Sequence, residues 1–330
     1  MMAWADSVVG VRGKGGVAVT SSEDWPRVAV AGAGAVGGYF GGMLAAAGAP
    51  VLMIGRRPFV EAVSRQGLIL ERASFRKSVR VGATTEASGV RRADLVLFSV
   101  KTTASALMAR ALAPFLAPGA IVVSLQNGVD NAAEIREAAG IEALPAAVYV
   151  AASMPEPGRV KHAGRGDLIL GPPGEKAKRA AETFLRAGVP CRISDNIEGE
   201  LWKKLIWNCA LNAVSALGQA RYAEIASNPE ACQLMGAIVE EVLAVARAAG
   251  IVLPGINDPQ AALAGALEIA AAMPAALSST GQDISRGRPT EIDSLNGYIT
   301  RRGAELGIAT PVNHALLALV KLREAGLGSG

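Results

Sequence analysis

Four polar residues that could bind a ligand or take part in catalysis lie along one face of an apolar helical segment, EGELWKKLIWNCALNAVSALG. At 100° per residue, Asn208 and Asn212 lie about 40° and 80° from Lys204. Ser215 follows at about 20°, whereas Lys203 points away from this line. One amine, two amides and a hydroxyl offer charge and hydrogen bonds to a ligand. Because asparagine is a poor helix former and a buried amide needs a partner, the line predicts the floor of a ligand groove.

Two other interpretations of this polar line stay open at this stage. The four side chains could form a polar network packed between helices, or they could face water. Neither alternative requires a ligand, and the helix pattern alone does not separate the three.

A second candidate site lies near the N-terminus, where a strand pattern runs into Gly-Ala-Gly-Ala-Val-Gly. The first glycine permits a tight turn, the second lets a pyrophosphate approach the backbone, and the third lets the helix pack on the strand. The N–H groups that begin the helix would face the phosphates. The segment therefore predicts a dinucleotide site, and the alternative is a glycine-rich contact with no ligand. Its six residues are Gly32, Ala33, Gly34, Ala35, Val36 and Gly37.

The residues after the second strand pattern indicate which dinucleotide is bound. An NAD site usually has an acidic residue here, which binds the ribose hydroxyls. This chain has Gly55, Arg56 and Arg57, and its next acid is Glu61. An arginine forms charge-assisted bonds with a 2′-phosphate, which a carboxylate would repel. The sequence thus favours NADP(H), with Arg56 as the first candidate; a solvated surface charge explains Arg57 equally well.

Two polar residues follow apolar strand patterns further along the chain. Lys101 comes after LVLFSV, and Asn127 comes after IVVSLQ. Ligands of open α/β sheets lie outside the carboxyl ends of the strands, so both residues are candidates for cofactor or substrate contacts. The alternative for Asn127 is a turn, because Asn-Gly is a turn dipeptide.

The elements that must position these residues are of two kinds. Apolar strand patterns alternate with helix patterns in the first half, which predicts a mostly parallel sheet covered on both faces. The strands are predicted at residues 27–31, 50–54, 94–100 and 120–125, with shorter ones near 146–152, 159–163 and 167–170, and the helices at 36–48 and 104–116. Long helix patterns then occupy residues 197–218, 228–250, 258–275 and 289–306, with a last one after Pro311.

We therefore predict an α/β Rossmann-like domain at residues 27–193 and an all-α domain at residues 194–330. Residues 1–26 have no periodic apolar face and no signal-peptide pattern, so they read as a disordered extension or as a start codon assigned too early.

Composition argues against several classes of protein. Net charge is +4 with no basic run, so nucleic acid is a poor candidate partner. The apolar stretch at 28–55 is interrupted by glycines and a proline, which argues against a membrane span. Three distant cysteines and two histidines give no metal spacing and fit a reducing cytoplasm. Apolar surfaces of the helical domain could form a homodimer, but no separate interface signal stands out.

Several motifs in order make the chain resemble the ketopantoate reductase (2-dehydropantoate 2-reductase) family from about residue 27 to 325. They are GAGAVG, SVKT, LQNG, EPGRVKHAGRG, ELWKKLIWNCALN and SSTGQDISRGRPTEIDSLNGYI. The last two are far more specific than the glycine motif. The resemblance implies a helical domain like the C-terminal domain of 6-phosphogluconate dehydrogenase. It also implies NADPH-dependent reduction of a small 2-oxo acid, most readily ketopantoate, for coenzyme A synthesis.

The resemblance further assigns roles to individual residues. Lys204 matches the catalytic proton donor, and Glu291 matches the glutamate that pairs with this lysine or touches the cofactor. Substrate contacts fall to Asn127, Asn208, Asn212 and Ser279, and cofactor contacts to the glycine motif, Arg56, Lys101, Asn127 and Glu291.

Three residues depart from the family pattern: Tyr222, Thr280 and Gly281. They fall where relatives line the substrate pocket, so the identity of the 2-oxo acid stays open, and other branched or aromatic 2-oxo acids are alternatives. A related 3-hydroxyacid or imine dehydrogenase is disfavoured by the RGRPTEID segment. A non-enzymatic NADP(H) sensor would have no use for Lys204 and Glu291 together.

Overall fold

The computed structural model describes residues 25–327, which form two compact units. The first contains residues 25–126 and 131–195, and the second contains residues 127–130 and 196–327. The extension predicted for residues 1–26 lies outside the described residues as far as residue 24. Trp25 itself is buried, with 7% of its surface exposed, and the Arg186 guanidinium lies 3.9 Å from the centre of its ring.

A ten-stranded, mostly parallel sheet forms the first unit, as the sequence predicted. Its strands are β1 (Val28–Ala31), β2 (Val51–Ile54), β3 (Leu68–Arg72), β4 (Phe75–Val79), β5 (Gly82–Thr84), β6 (Leu95–Phe98), β7 (Ile121–Ser124), β8 (Ala143–Glu156), β9 (Arg159–Leu170) and β10 (Cys191–Ile193). The strand order is β4-β3-β9-β8-β7-β6-β1-β2-β5, and β10 pairs with β9. Among the strands of the described residues, only the pairs β3–β4 and β8–β9 are antiparallel.

Helices cover both faces of the central strands. They are α1 (Ala35–Ala46), α2 (Arg57–Gln66), α3 (Ser105–Leu112), α4 (Asn131–Ala139) and α5 (Glu175–Arg186). Val28 and Val30 of β1 pack in one core cluster with α1 and α5, while Ala29 and Ala31 pack in another with α3 and α4. Burial on both faces explains why these strands are apolar at every position.

The sheet curls around α1, which contacts β1 and β2 as well as β8 and β9. This enclosure depends on small residues within the helix. A Cβ at Gly38 would lie 2.7 Å from Val160 Cγ2, and one at Gly42 would lie 2.9 Å from Leu68 Cδ2. The glycine content of α1 therefore reflects close helix–sheet packing in addition to any role at its N-terminus.

Some strands differ from the sequence predictions. The three short strands expected after residue 146 are two long ones, β8 and β9, whose pairing is interrupted by bulges. The hairpin of β3 and β4 was not predicted, because β4 is an edge strand of charged and exposed residues without a clear apolar alternation.

The described part of the second unit contains seven α-helices. They are α6 (Ile197–Gly218), α7 (Tyr222–Ala226), α8 (Pro229–Ala248), α9 (Pro259–Ala272), α10 (Ser279–Ser285), α11 (Asn296–Leu306) and α12 (Pro311–Leu327). Helix α6 is central and contacts α8, α9, α10 and α12. Between residues 25 and 327, we find no helix that combines the length and hydropathy needed to cross a membrane.

The helix predicted at residues 289–306 begins later, at Asn296. Residues Ile292–Ser294 form a short 3-10 turn instead. Leu295 then takes φ −113° and ψ −105°, which lies outside the helical region and separates the turn from α11. The result is an irregular segment directly after Glu291.

Candidate functional site

The glycine turn joins β1 to α1, and its three glycines differ in their surroundings. Gly32 has φ +103°, and a Cβ there would lie 2.5 Å from Val100 N. A Cβ at Gly37 would overlap Ser99 Oγ, which donates a hydrogen bond to Gly32 O at 2.8 Å. At Gly34, the N-cap of α1, a Cβ would have no neighbour within 4 Å among residues 25–327. The protein itself thus requires two of the glycines, while the third leaves space at a helix N-terminus.

The loop that carries Lys101 is fixed from the neighbouring strand by the buried amide of Gln126. Its Nε2 donates to Val100 O at 3.0 Å and to Ser105 Oγ at 2.7 Å. Ser124 Oγ donates to Gln126 Oε1 at 3.0 Å. Sequence reasoning missed Gln126 and Ser99. The available signal was the same one that identified Lys101, a polar residue at the carboxyl end of a strand.

Two exposed arginines follow β2. Arg56 is the N-cap of α2, and Arg57 is the first residue of that helix. The first turn of α2 contains no acidic residue. In the described part of the chain, neither guanidinium forms a hydrogen bond or ion pair with a protein group. Their positive charge is therefore available to an anionic ligand.

Lys204 and Glu291 are joined through Asn127. Lys204 Nζ donates to Asn127 Oδ1 at 2.8 Å, and Asn127 Nδ2 donates to Glu291 Oε2 at 3.2 Å. Lys203 instead donates to Pro254 O at 3.0 Å. The two adjacent lysines thus point in different directions, as helical geometry requires. The arrangement orients one ammonium with an amide that a carboxylate holds in turn.

The amides of Asn208 and Asn212 continue the polar line along α6. Asn212 exposes only 3% of its surface, and Asn208 is half-buried. Among residues 25–327, no protein group forms a hydrogen bond with either side-chain amide. Since buried polar groups in folded proteins are normally paired, the Asn212 amide is a candidate for a ligand contact.

Ser215, the last member of the line, belongs to a packed network. Its Oγ donates to Ala220 O at 2.8 Å and accepts from Ser278 N at 3.1 Å. The alternative of a polar network between helices therefore holds for this residue.

Ser278 and Ser279 are adjacent but differ in their surroundings. Ser278 is buried, donates to Asn212 O at 3.1 Å and caps α10 by accepting from Gly281 N at 2.9 Å. Ser279 is exposed. Ser279, which the resemblance assigns to substrate binding, is thus accessible to solvent, whereas Ser278 links α10 to α6 by a hydrogen bond.

The departures from the family pattern include two buried side chains. Tyr222 exposes 8% of its surface, and its main-chain N–H donates to Ala276 O at 3.0 Å. Burial raises the pKa of its phenol to about 12. Thr280 exposes 2%. A Cβ at Gly281 would lie 2.9 Å from Leu277 Cγ, so this glycine permits a close contact within the α10 region.

Family models match most of the chain. Residues 28–175 match the model described as ketopantoate reductase PanE/ApbA, and residues 196–324 match the model described as its C-terminal part. A 2-dehydropantoate 2-reductase of Pyrococcus horikoshii is 34% identical over 310 residues, which are 92% of this chain and 99% of the relative.

Two solved structures have the same fold over nearly their whole length. A PanE/ApbA family ketopantoate reductase from Ralstonia eutropha JMP134 is 47% identical with a TM-score of 0.85, covering 92% of this chain and 99% of that one. D-mandelate dehydrogenase, solved with NADH and anilino(oxo)acetate, is 27% identical with a TM-score of 0.85 and the same coverage.

Proposed function

This chain belongs to the ketopantoate reductase family, and from that premise we propose that it reduces ketopantoate to pantoate with NADPH. It is an oxidoreductase, and its product would serve pantothenate and coenzyme A synthesis in the cytoplasm. The observation that carries the proposal is the hydrogen-bonded series Lys204–Asn127–Glu291. Its lysine lies on α6 together with two asparagines whose amides have no protein partner among residues 25–327.

The residues of the first unit fit a nicotinamide dinucleotide. Gly34 leaves space at the N-terminus of α1, where backbone N–H groups favour a pyrophosphate. Arg56 supports NADP(H) over NAD(H), because its guanidinium is exposed and no acid lies in the first turn of α2. Lys101, at the carboxyl end of the sheet, would provide a further cofactor contact.

The chemistry requires one electron-pair transfer and one proton. When bound, the reduced nicotinamide supplies a hydride to the keto carbon. Lys204 stabilises the negative charge that develops on the keto oxygen and then donates a proton to it. Asn127 orients the lysine Nζ through its Oδ1, and Glu291 fixes the amide of Asn127. The charge-assisted bonds of this series hold the ammonium in place before the reaction.

The substrate contacts would come from α6 and α10. The amides of Asn208 and Asn212 can bind the polar groups of a 2-oxo acid without first breaking a protein hydrogen bond. Ser279, exposed at the start of α10, would bind near the substrate carboxylate.

A second candidate is the reduction of another branched or aromatic 2-oxo acid. The similarity to D-mandelate dehydrogenase, with its bound anilino(oxo)acetate, favours this alternative. Tyr222 and Thr280 also give the α7–α10 region a composition that departs from the family pattern.

The test is NADPH oxidation with ketopantoate, benzoylformate and 2-oxoisovalerate, each repeated with NADH. We expect the highest kcat/KM for ketopantoate with NADPH. A higher value for benzoylformate would establish the second candidate. No turnover with any 2-oxo acid and either cofactor would contradict both.

A further inference from the structure

Helix α12 holds the segment that contains Glu291, residues 290–296, at both ends. At its start, Thr290 N donates to Glu324 Oε1 at 2.6 Å, and Thr290 exposes only 3% of its surface. At its end, the buried amide of Asn296 donates to Asn313 Oδ1 at 2.9 Å. The segment between these anchors is the irregular turn before α11, which has few backbone hydrogen bonds of its own.

Glu291 lies directly beside the first anchor. Its carboxylate accepts the hydrogen bond from Asn127, which binds Lys204. Thr290 Oγ1 accepts from Ile292 N at 3.2 Å, so the main chain is held on both sides of Glu291. A shift of the chain at Thr290 would therefore move the Glu291 carboxylate relative to Asn127.

A lysine of α12 supports the same anchor. Lys321 Nζ lies 2.7 Å from Asp293 Oδ2 and 3.6 Å from Glu324 Oε2. The hydrogen bond and charge of Asp293 raise the pKa of Lys321, so the ammonium stays charged at neutral pH. It thus links the irregular segment to the glutamate that binds Thr290. The Glu324 side chain is only 18% exposed, which limits competition from water for Thr290 N–H.

We propose that Glu324 is a positioning residue for the reaction: its carboxylate fixes the main chain at Thr290 and thereby keeps Glu291 on Asn127. This inference rests on the proposed roles of Lys204 and Glu291. The competing explanation is that Glu324 only fastens α12 to the helical unit, in which case its loss lowers stability and leaves the chemistry unchanged.

The variants Glu324→Ala and Glu324→Gln separate these explanations. Alanine removes the acceptor of Thr290 N–H, whereas glutamine keeps an acceptor oxygen at the same reach. We expect Glu324→Ala to lower kcat about tenfold, because small misplacements of catalytic groups are costly, with KM for NADPH within about twofold of wild type. The alkaline limb of its kcat–pH profile should move to lower pH, because a displaced Glu291 carboxylate leaves less negative charge near Lys204. Glu324→Gln should recover most of kcat.

Glu305→Ala is the matched control, because Glu305 forms an exposed ion pair with Arg302 on α11. Within the described chain, its carboxylate binds no main-chain group near Glu291. This variant should keep the wild-type kcat and pH profile. Should Glu324→Ala fail to fold, Lys321→Met serves as the second variant, with a smaller decrease of kcat in the same direction. Wild-type kcat and pH profile in Glu324→Ala, or in Lys321→Met where it replaces that variant, would overturn the inference.

Hydrogen–deuterium exchange of the Thr290 amide provides a readout that does not depend on turnover. Exchange should accelerate in Glu324→Ala and stay slow in Glu324→Gln and Glu305→Ala. If the wild-type protein reduces no 2-oxo acid, the proposed function fails. The exchange measurement still tests whether Glu324 holds the main chain at Thr290. Unchanged exchange in Glu324→Ala would refute the anchor whatever the activity.

Discussion

The glycine turn at residues 32–37 and the Lys204 cluster, which consists of Lys204, Asn127 and Glu291, are built in opposite ways. The turn lacks bulky side chains: at Gly34, no atom of residues 25–327 other than its chain neighbours lies within 4 Å of the position of a Cβ. The cluster works by side chains that hold one another, from Lys204 through Asn127 to Glu291. The turn is complete within six consecutive residues, whereas Asn127 and Glu291 are 164 positions apart.

This difference determines what each region can specify. A backbone turn at a helix N-terminus suits any pyrophosphate, so it indicates a class of cofactor and little about the reaction. A fixed ammonium with amides along the same helix suits a particular developing charge, so it indicates the chemistry. The arginine beside the turn and the lysine of the cluster are therefore the side chains whose removal separates binding from turnover.

The largest expected effect is at the cluster. Lys204→Ala should lower kcat by about a hundredfold or more, because the developing negative charge loses both its stabilising ammonium and its proton donor. NADPH should still bind with near wild-type affinity, measured by fluorescence titration.

Lys203→Ala is the matched control for this prediction. Lys203 is the adjacent residue but binds the carbonyl of Pro254, so its variant should keep kcat within a few-fold of wild type. Near-normal turnover in Lys204→Ala, or an equal loss in both variants, would contradict the proposed chemistry.

A smaller effect is expected beside the glycine turn. Arg56→Glu should weaken NADPH binding by about tenfold to a hundredfold, since a charge-assisted bond is replaced by repulsion of the 2′-phosphate. NADH, which lacks that phosphate, should bind nearly as before. The ratio of the two dissociation constants is the measurement.

Arg57→Glu serves as the comparison for Arg56, because both guanidinium groups are exposed and lack protein partners in the described chain. It should change the ratio much less. Equal changes in NADPH and NADH affinity for Arg56→Glu would remove the basis for an NADP(H) preference.

The sequence predicts the apolar strands and the long helices of this fold better than its charged and irregular segments. Apolar strands such as β1 and β6 are evident because burial on both faces makes every position apolar. Helix α6 matches its predicted bounds of 197–218 because Asn196 caps its start and Gln219, in the left-handed conformation, ends it. The charged hairpin of β3 and β4 and the irregular turn before α11 were missed, since neither has an apolar period.

The candidate site shows the same limit. Helical spacing distinguishes Lys204 from Lys203, because one helix carries both. No local pattern shows that Asn127 links Lys204 to Glu291, or that Glu324 binds Thr290 N–H, because these contacts join distant parts of the chain. The polar line itself combined two kinds of residue, since Ser215 lies within a packed network while the side-chain amide of Asn212 has no partner in the described part of the chain.

That division within α6 gives the smallest and most discriminating expected effect. Asn212→Leu should raise KM for the 2-oxo acid by about fivefold to tenfold, the worth of one or two neutral hydrogen bonds. It should leave Tm unchanged or slightly higher, because the amide of this largely buried residue has no partner to lose among residues 25–327. Ser215→Ala should do the opposite: it lowers the free energy of unfolding by about 1–3 kcal/mol, through two lost hydrogen bonds, and leaves KM unchanged. Steady-state kinetics and thermal unfolding of both variants measure this contrast. A fall in Tm for Asn212→Leu with unchanged KM would mean that Asn212, like Ser215, serves packing.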